Sequence, residues 1–205
     1  MPLKEHWEKV YNTKKITEVS WYQATPRVSL DFITELNIPK DAAIIDVGGG
    51  DSYFVDHLLK LGYTDITVLD ISEAAINRAK ERLGREAEKI NWIIADVIDL
   101  SIDKKFDFWH DRAAFHFLTT ENEVQKYLSV AEKHISEKGK MVIGTFSTTG
   151  PEKCSGLPVK QYSESTLSDQ LKKWFRKIKC ITEDHITPFN TVQNFLFCSF
   201  NKIIF

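Results

Sequence analysis

The sequence has no long apolar segment and no excess of charge of one sign. No run approaches the roughly 18 apolar residues that a membrane-spanning helix needs, and the first residues contain no apolar signal core. Lysine and arginine total 27 and aspartate and glutamate 29, which gives a formal net charge of −2. Such a balance provides no basic surface for nucleic acid. We therefore expect a cytoplasmic protein that binds neither membranes nor nucleic acids.

Cysteine and linker-forming residues are also scarce. The three cysteines, Cys154, Cys180 and Cys198, are spaced too widely and unevenly for a disulfide framework or a paired zinc site. This spacing predicts reduced thiols and no bound metal. No stretch rich in glycine, proline or serine is long enough to separate two domains, and no internal repeat occurs. We expect one domain over residues 1–205, as a monomer or a homodimer.

The elements that are present alternate in type. We expect an N-terminal lid and helix over residues 1–36, made of an aromatic-rich leader over 1–25 and a helix over 26–36, and a core over residues 40–205. Its first part reads strand, helix, strand, helix, strand over residues 42–47, 52–61, 65–70, 73–86 and 90–95. This order is typical of a parallel sheet with right-handed crossovers.

The alternation continues and then changes at the C-terminal end. The predicted elements are a strand at 105–110, a helix to about His134 that begins with the capping box of Thr120 and Glu123, and a strand at 140–146. A helix follows at about 163–175. The short connection Pro188-Phe189-Asn190 between two apolar runs, 178–187 and 193–204, favours an antiparallel hairpin. The sequence thus predicts an α/β fold with a doubly wound, mostly parallel seven-stranded sheet.

The most informative segment is Ile44-Ile45-Asp46-Val47-Gly48-Gly49-Gly50-Asp51-Ser52, where an apolar strand ends on an acid and runs into three glycines. Glycines at such a junction bring bare backbone against a ligand. Asp70 and Asp96 close the next two apolar runs. Because the carboxyl ends of parallel strands meet at one edge of the sheet, these acids point to a nucleoside-bearing cofactor.

Two cofactor classes use a glycine-rich first turn. A dinucleotide fingerprint counted from Gly48 needs glycine at position 53, where this chain has Tyr53. The dinucleotide fingerprint also contains no acid at the position of Asp46. Burial of this carboxylate is costly unless a cation or hydrogen-bond donors contact it. S-adenosylmethionine supplies both an ammonium group and a sulfonium.

With Ser52 in place of the last glycine, residues 46–52 resemble the acid-x-G-x-G-x-G motif of class I S-adenosylmethionine-dependent methyltransferases. The resemblance covers about residues 40–200 and includes the segments 105–110 and 136–143. It implies that Asp70 binds the ribose hydroxyls of the cofactor and that Asp96, with the backbone of Val97, meets the adenine amino group. The positions it implies for binding S-adenosyl-L-methionine are Asp46, Gly48, Gly49, Gly50, Ser52, Tyr53, Asp70, Ile71, Asp96, Val97 and His110.

A first candidate for the acceptor site follows the fourth strand, where His110, Asp111, Arg112 and His116 are crowded together. A histidine here would be a general base or an orienting donor, and Arg112 would bind an anionic acceptor. The alternative is a surface pair of Asp111 with Arg112 and a packed histidine.

Two other segments are candidates for the same site. Cys154, in the loop after the fifth strand, is either a nucleophile or soft ligand, with His185 nearby, or an inert thiol. In the leader, Trp21 and Tyr22 are expected to form a lid that excludes water, while Trp7 belongs to that lid or to a docking helix. The catalytic candidates are therefore His110, His116 and Cys154, and the acceptor-binding candidates are Trp21, Tyr22, Asp111, Arg112, His116, Cys154 and His185.

Three functions remain open at this stage. The first is methyl transfer to a small molecule, with a thiol, metalloid, carboxylate or amine as acceptor. The second is methyl transfer to protein lysine, because the leader pattern W-E-x-x-Y followed by W-Y-Q resembles that of small seven-strand enzymes that include protein lysine methyltransferases. The third is a module that binds S-adenosylmethionine without catalysis.

Overall fold

The computed structural model describes residues 3–204. Met1, Pro2 and Phe205, which the predicted lid and core include, lie outside the described residues. The helices are α1 (Leu3–Thr13), α2 (Arg27–Glu35), α3 (Phe54–Lys60), α4 (Glu73–Leu83), α5 (Glu121–His134) and α6 (Glu164–Leu171). The strands are β1 (Ala43–Val47), β2 (Asp65–Asp70), β3 (Ile90–Ile94), β4 (Phe106–Arg112), β5 (Ile135–Phe146), β6 (Lys153–Cys154), β7 (Leu157–Pro158), β8 (Phe175–Ile186) and β9 (Val192–Lys202).

Seven of these strands form one sheet in the order β3-β2-β1-β4-β5-β9-β8. The neighbours from β3 to β5 pair in parallel, and β9 is antiparallel to both β5 and β8. The predicted α/β fold with a C-terminal antiparallel hairpin is confirmed. Because β1 and β4 are adjacent while β2 lies on the other side of β1, the strand order reverses beside β1, where ligands of such sheets bind.

Helices cover both faces of the sheet, so its central strands are buried on both sides. In β1, Ile44, Ile45 and Val47 are at most 1% exposed. Successive residues of β4 pack on opposite faces of the sheet, with Phe108 in one core and Trp109 in the other. This alternation also decides which side chains of β4 can reach the edge of the sheet.

The boundaries differ from the prediction mainly in β5. The strand begins at Ile135, whereas the sequence predicts residue 140, and its register with β4 shifts between the pairs Phe106–Ile135 and Phe108–Lys140. The predicted capping box of α5 is confirmed, since Thr120 Oγ1 accepts from the Glu123 N–H at 3.3 Å and the Glu123 carboxylate accepts from the Thr120 N–H at 2.9 Å. Among residues 3–204, no helix has the length and apolarity to cross a membrane.

The cysteines depart from the prediction. Cys180 on β8 and Cys198 on β9 are paired residues of the hairpin and form a disulfide, so the prediction of three reduced thiols is wrong. The separation of 18 residues carries no recognisable spacing signal, because the pairing depends on the register of the hairpin. Cys154 is free and buried.

Candidate functional site

A cavity lies at the carboxyl ends of β1, β2 and β4. The leader forms its outer wall, through Trp7, Tyr11 and Trp21. The inner wall brings together five of the positions that the resemblance implies for the cofactor, namely Gly48, Asp70, Ile71, Asp96 and Val97. The walls are mostly apolar, and their charged side chains are Asp70, Asp96 and Arg112.

The glycine loop after β1 packs directly on two of the acids. Gly50 has φ +29°, and a Cβ atom built on it would lie 2.5 Å from Asp70 Oδ2. A Cβ atom on Gly49 would lie 2.4 Å from Asp46 Oδ2. Since these separations are shorter than atoms tolerate, the loop requires residues without side chains, as a close approach of backbone to a ligand does.

Asp70 is 4% exposed and forms part of the cavity wall. Its Oδ1 accepts from the Ser72 N–H at 2.8 Å, which orients the carboxyl group. The pKa of Asp70 is raised to about 7, chiefly by burial; the Ser72 N–H bond opposes this shift, and the nearby charges of Asp46 and Glu8 contribute to it. A ligand that donates hydrogen bonds would therefore favour the ionised form.

Asp96 occupies the corresponding position after β3. Its Oδ1 accepts from the Ile98 N–H at 3.2 Å and caps the short turn Val97–Asp99, and burial raises its pKa. This cap presents Asp96 and Val97 to the cavity. The loop, Asp70 and Asp96 thus fit the nucleoside part of S-adenosylmethionine, which offers ribose hydroxyls and an adenine amino group to carboxylates.

Asp46 and His110 lie behind the glycine loop and do not form part of the cavity wall. His110 Nδ1 donates to Asp46 Oδ1 at 2.6 Å, and its Nε2 is 2.8 Å from the Ser29 hydroxyl. Both side chains are at most 3% exposed. The arrangement ties β1 and β4 to α2, so the structure places His110 in a supporting position beneath the loop.

A second, smaller cavity adjoins the first and shares Tyr11, Trp21 and Arg112 with it. Its walls also contain Tyr22, Ser52 and Tyr53, three further positions that the sequence predicts for the site. Trp21 thus lines both cavities and Tyr22 the smaller one, and their action as a lid stays a prediction.

Asp111 and His116 lie away from both cavities. Asp111 accepts from the N–H groups of Ala114 and Phe115, each at 3.0 Å, and from the Tyr127 hydroxyl at 2.8 Å. Burial raises its pKa to about 6. His116 is fully buried, and burial lowers its pKa to about 3, so its ring is neutral. Asp111 thereby shapes the turn after β4, and no ion pair joins it to Arg112 in the described part of the chain.

Cys154 and His185 are likewise not joined. Cys154 lies in the wall of the larger cavity, and burial raises the pKa of its thiol to about 11. His185 Nε2 donates to the Ser20 carbonyl at 2.7 Å while its Nδ1 accepts from Gln23 at 3.2 Å, and burial lowers its pKa. No cluster of potential metal ligands occurs within residues 3–204.

Sequence reasoning missed several wall residues. Tyr11 is visible in the W-E-x-x-Y pattern, but Phe117, Leu118 and Ala114 are apolar and reach the cavity only through the turn that Asp111 holds. No sequence signal distinguishes such residues from ordinary core.

The strand order and the position of these cavities are those of the class I S-adenosylmethionine-dependent methyltransferase fold. Residues 44–139 match the family model for a methyltransferase domain. The chain is 26% identical over 139 residues to the mouse eEF1A lysine and N-terminal methyltransferase, which covers 67% of this chain and 20% of the mouse protein. It is 28% identical over 168 residues to malonyl-[acyl-carrier protein] O-methyltransferase 1 of Ilyobacter polytropus, which covers 77% of this chain and 61% of that protein.

A solved structure supports the same class at the level of fold. The N-methyltransferase NodS from Bradyrhizobium japonicum, in complex with S-adenosyl-L-homocysteine, superposes with a TM-score of 0.75 at 14% identity and covers 98% of this chain and 99% of NodS. The predicted cofactor, S-adenosyl-L-methionine, is confirmed by the family match together with this neighbour. The chain spans only a fifth of the length of the mouse relative.

Proposed function

We propose that this chain acts as a single domain that transfers a methyl group from S-adenosyl-L-methionine to a small-molecule acceptor. The observation that carries the proposal is the cavity at the carboxyl ends of the strands, because it joins the strand-end acids Asp70 and Asp96 to the aromatic side chains of the leader. In this proposal the acceptor enters beside the cofactor, at the adjoining cavity.

The sulfonium of the cofactor supplies an electrophilic methyl group, so the protein chiefly aligns the acceptor and removes water. In this proposal Asp70 accepts hydrogen bonds from the ribose hydroxyls, and Asp96 accepts one from the adenine amino group. Trp7, Tyr11 and Trp21 cover the cavity and keep water from the reacting atoms.

The wall groups that are not assigned to the cofactor offer little for proton transfer. Cys154 is protonated at neutral pH because burial raises its pKa to about 11, and burial also raises the pKa of Tyr11. Asp51 faces the smaller cavity but pairs with Arg78 at 2.8 Å and with Arg82. These groups favour an acceptor whose reacting atom is already deprotonated or carries a free lone pair, so that alignment alone suffices.

Methyl transfer to protein lysine is the second candidate. It is favoured by the W-E-x-x-Y and W-Y-Q pattern of the leader and by the likeness to the mouse eEF1A lysine and N-terminal methyltransferase. Against it, the leader covers the acceptor cavity with Tyr11, Trp21 and Tyr22, which leaves less room for a polypeptide than for a small molecule.

The test combines binding with transfer. Calorimetric titration with S-adenosyl-L-homocysteine should show binding, and Asp70→Ala should weaken it at least tenfold, because charge-assisted hydrogen bonds contribute roughly 1.5–3 kcal/mol. Asp65→Ala, at the opposite end of β2, is the matched control and should leave the affinity unchanged.

Incubation with methyl-tritiated cofactor and a cell lysate then distinguishes the candidate functions. Label confined to small metabolites supports the proposal, whereas label in protein supports the lysine candidate. Binding without any transfer would indicate a non-catalytic module.

A further inference from the structure

Arg112 at the end of β4 has an unused pair of hydrogen-bond donors. Its Nη1 donates to the Trp21 carbonyl at 3.0 Å. Its Nε and Nη2 are buried, and neither has a hydrogen-bond partner among residues 3–204. Buried donors without partners are rare in folded proteins, so this pair needs a physical explanation.

The two free donors are adjacent. Nε–H and Nη2–H lie on one edge of the planar guanidinium, and that edge matches the two oxygens of a carboxylate. The Phe195 ring lies 5.1 Å from Cζ and packs against the group without using these donors. Arg112 is thus held by Trp21 on one side and by Phe195, while its bidentate edge stays free.

The charge of Arg112 is also uncompensated by direct contact. Burial lowers its pKa to about 10, so the group remains a cation at neutral pH. Glu183 and Asp46 act on it only from a distance, since no salt bridge within 4.0 Å involves Arg112 in the described residues. A buried cation without a partner is costly, and an anion supplied by a ligand would remove that cost.

The position of Arg112 connects this cation to the proposed acceptor site. Arg112 belongs to the walls of both cavities, at their junction. The walls of the smaller cavity also contain the apolar side chains of Ile16, Val19 and Pro26, together with polar groups that include Asp51 and Arg78. Because Arg78 is paired with Asp51 at 2.8 Å, Arg112 is the cation in these walls that has no salt bridge to a carboxylate among the described residues.

We propose that the methyl acceptor carries a carboxylate that the Nε and Nη2 donors of Arg112 bind in a bidentate pair. The apolar part of the acceptor packs against Ile16, Val19 and Trp21. This inference rests on the proposed function and specifies its substrate class.

The probe is hexanoate, which combines a carboxylate with an apolar chain, and hexanamide is its uncharged counterpart. Each is titrated by ligand-observed NMR into protein saturated with S-adenosyl-L-homocysteine. We expect hexanoate to bind at least tenfold more tightly than hexanamide, as a charge-assisted bidentate pair implies. Arg112→Met should abolish that preference, and Arg112→Lys, which keeps the charge but loses the fork, should retain only part of it. Arg176→Met, an exposed arginine on β8, is the matched control and should retain the full preference.

A parallel titration separates the two possible sources of the carboxylate. S-adenosyl-L-homocysteine carries a carboxylate of its own, and 5′-methylthioadenosine lacks it. We expect both nucleosides to bind Arg112→Met as they bind the wild type, and thermal melting verifies that the variant is folded.

Equal binding of hexanoate and hexanamide, or no binding of either, would overturn the inference. Loss of S-adenosyl-L-homocysteine binding alone, with 5′-methylthioadenosine unaffected, would overturn it as well and assign Arg112 to the cofactor. Failure of both nucleosides to bind the wild type would instead contradict the proposed function.

Discussion

The carboxylate of Glu8 in α1 accepts from the backbone N–H of Glu73 at 2.6 Å, at the start of α4. Its other oxygen accepts from the Ala74 N–H at 3.1 Å and the Ser72 hydroxyl at 3.2 Å. A carboxylate at a helix N-terminus meets unpaired N–H groups and the positive end of the helix dipole. Because α4 begins three residues after Asp70, Glu8 anchors the leader beside the acid that is proposed to bind ribose.

A second set of contacts joins the same two helices, this time from a side chain of α4 to the backbone of the leader. Arg78 of α4 donates to the carbonyls of Tyr11 at 3.0 Å and Lys14 at 2.7 Å, at the end of α1. The leader helix is thus held to α4 at its middle, through Glu8, and at its C-terminal end, while Trp7 and Tyr11 line the cavity. The cover over the cofactor cavity depends on these polar contacts as well as on aromatic packing.

We predict that Glu8→Ala loosens α1 and weakens binding of S-adenosyl-L-homocysteine severalfold, since loss of a helix cap costs roughly 0.5–2 kcal/mol. Hydrogen exchange of the α1 amides should become faster in this variant. Glu5→Ala, an exposed position on the same helix, is the control. Unchanged exchange and unchanged affinity in Glu8→Ala would show that aromatic packing alone holds the cover.

The contrast between Glu8 and Asp70 shows what the sequence can reveal. Asp70 is predictable because its position depends on a strand end and its Ser72 bond spans two residues. The contact of Glu8 with Glu73 joins residues 65 positions apart, and no local pattern encodes it. The order of strands and helices also depends on local sequence patterns, and the sequence predicts it with small errors at the element boundaries.

His110, Asp111 and Arg112 show why neighbouring residues do not always form one site. Side chains of successive strand residues point to opposite faces of a sheet. His110 therefore bonds Ser29 on α2, while Asp111 bonds Tyr127 on α5. The sequence identifies the end of β4 as chemically rich, but which side chain reaches the cavity depends on strand geometry and on the turn that follows.

We predict that Gly50→Ala abolishes detectable binding of S-adenosyl-L-homocysteine in calorimetry. A Cβ atom at this position would lie 2.5 Å from the Asp70 carboxylate, so the loop or the acid must move. Gly62→Ala is the matched control, because Gly62 also has a positive φ, +85°, but no atom within 4 Å of the added Cβ. Backbone strain alone should lower the stability of both variants, and only Gly50→Ala should lose the ligand. Equal affinities in the two variants would contradict a close fit of the glycine loop to Asp70.

Asp70 should also make the stability of the ligand-free protein depend on pH. Its pKa of about 7 in the folded state is above the ordinary value of about 4, so the folded protein holds an extra proton between these values. The free energy of unfolding therefore falls as the pH rises through this window. Asp70→Asn removes this component, so urea unfolding at about pH 5 and about pH 8 should show a smaller loss for the variant, by about 1–4 kcal/mol. Asp111 titrates in both proteins and cancels in the difference, and identical losses would contradict the raised pKa of Asp70.

The disulfide between Cys180 and Cys198 should support stability without supporting the site. It links β8 to β9 outside both cavity walls, and a cross-link that closes a loop of about 15 residues contributes roughly 3 kcal/mol. Denatured protein should show one reactive thiol before reduction, that of Cys154, and three after it. The double variant Cys180→Ser with Cys198→Ser should unfold at lower urea concentration yet bind S-adenosyl-L-homocysteine with unchanged affinity. Three reactive thiols before reduction would contradict the disulfide and agree with the prediction of three reduced cysteines. Strand pairing alone would then maintain the register of the hairpin.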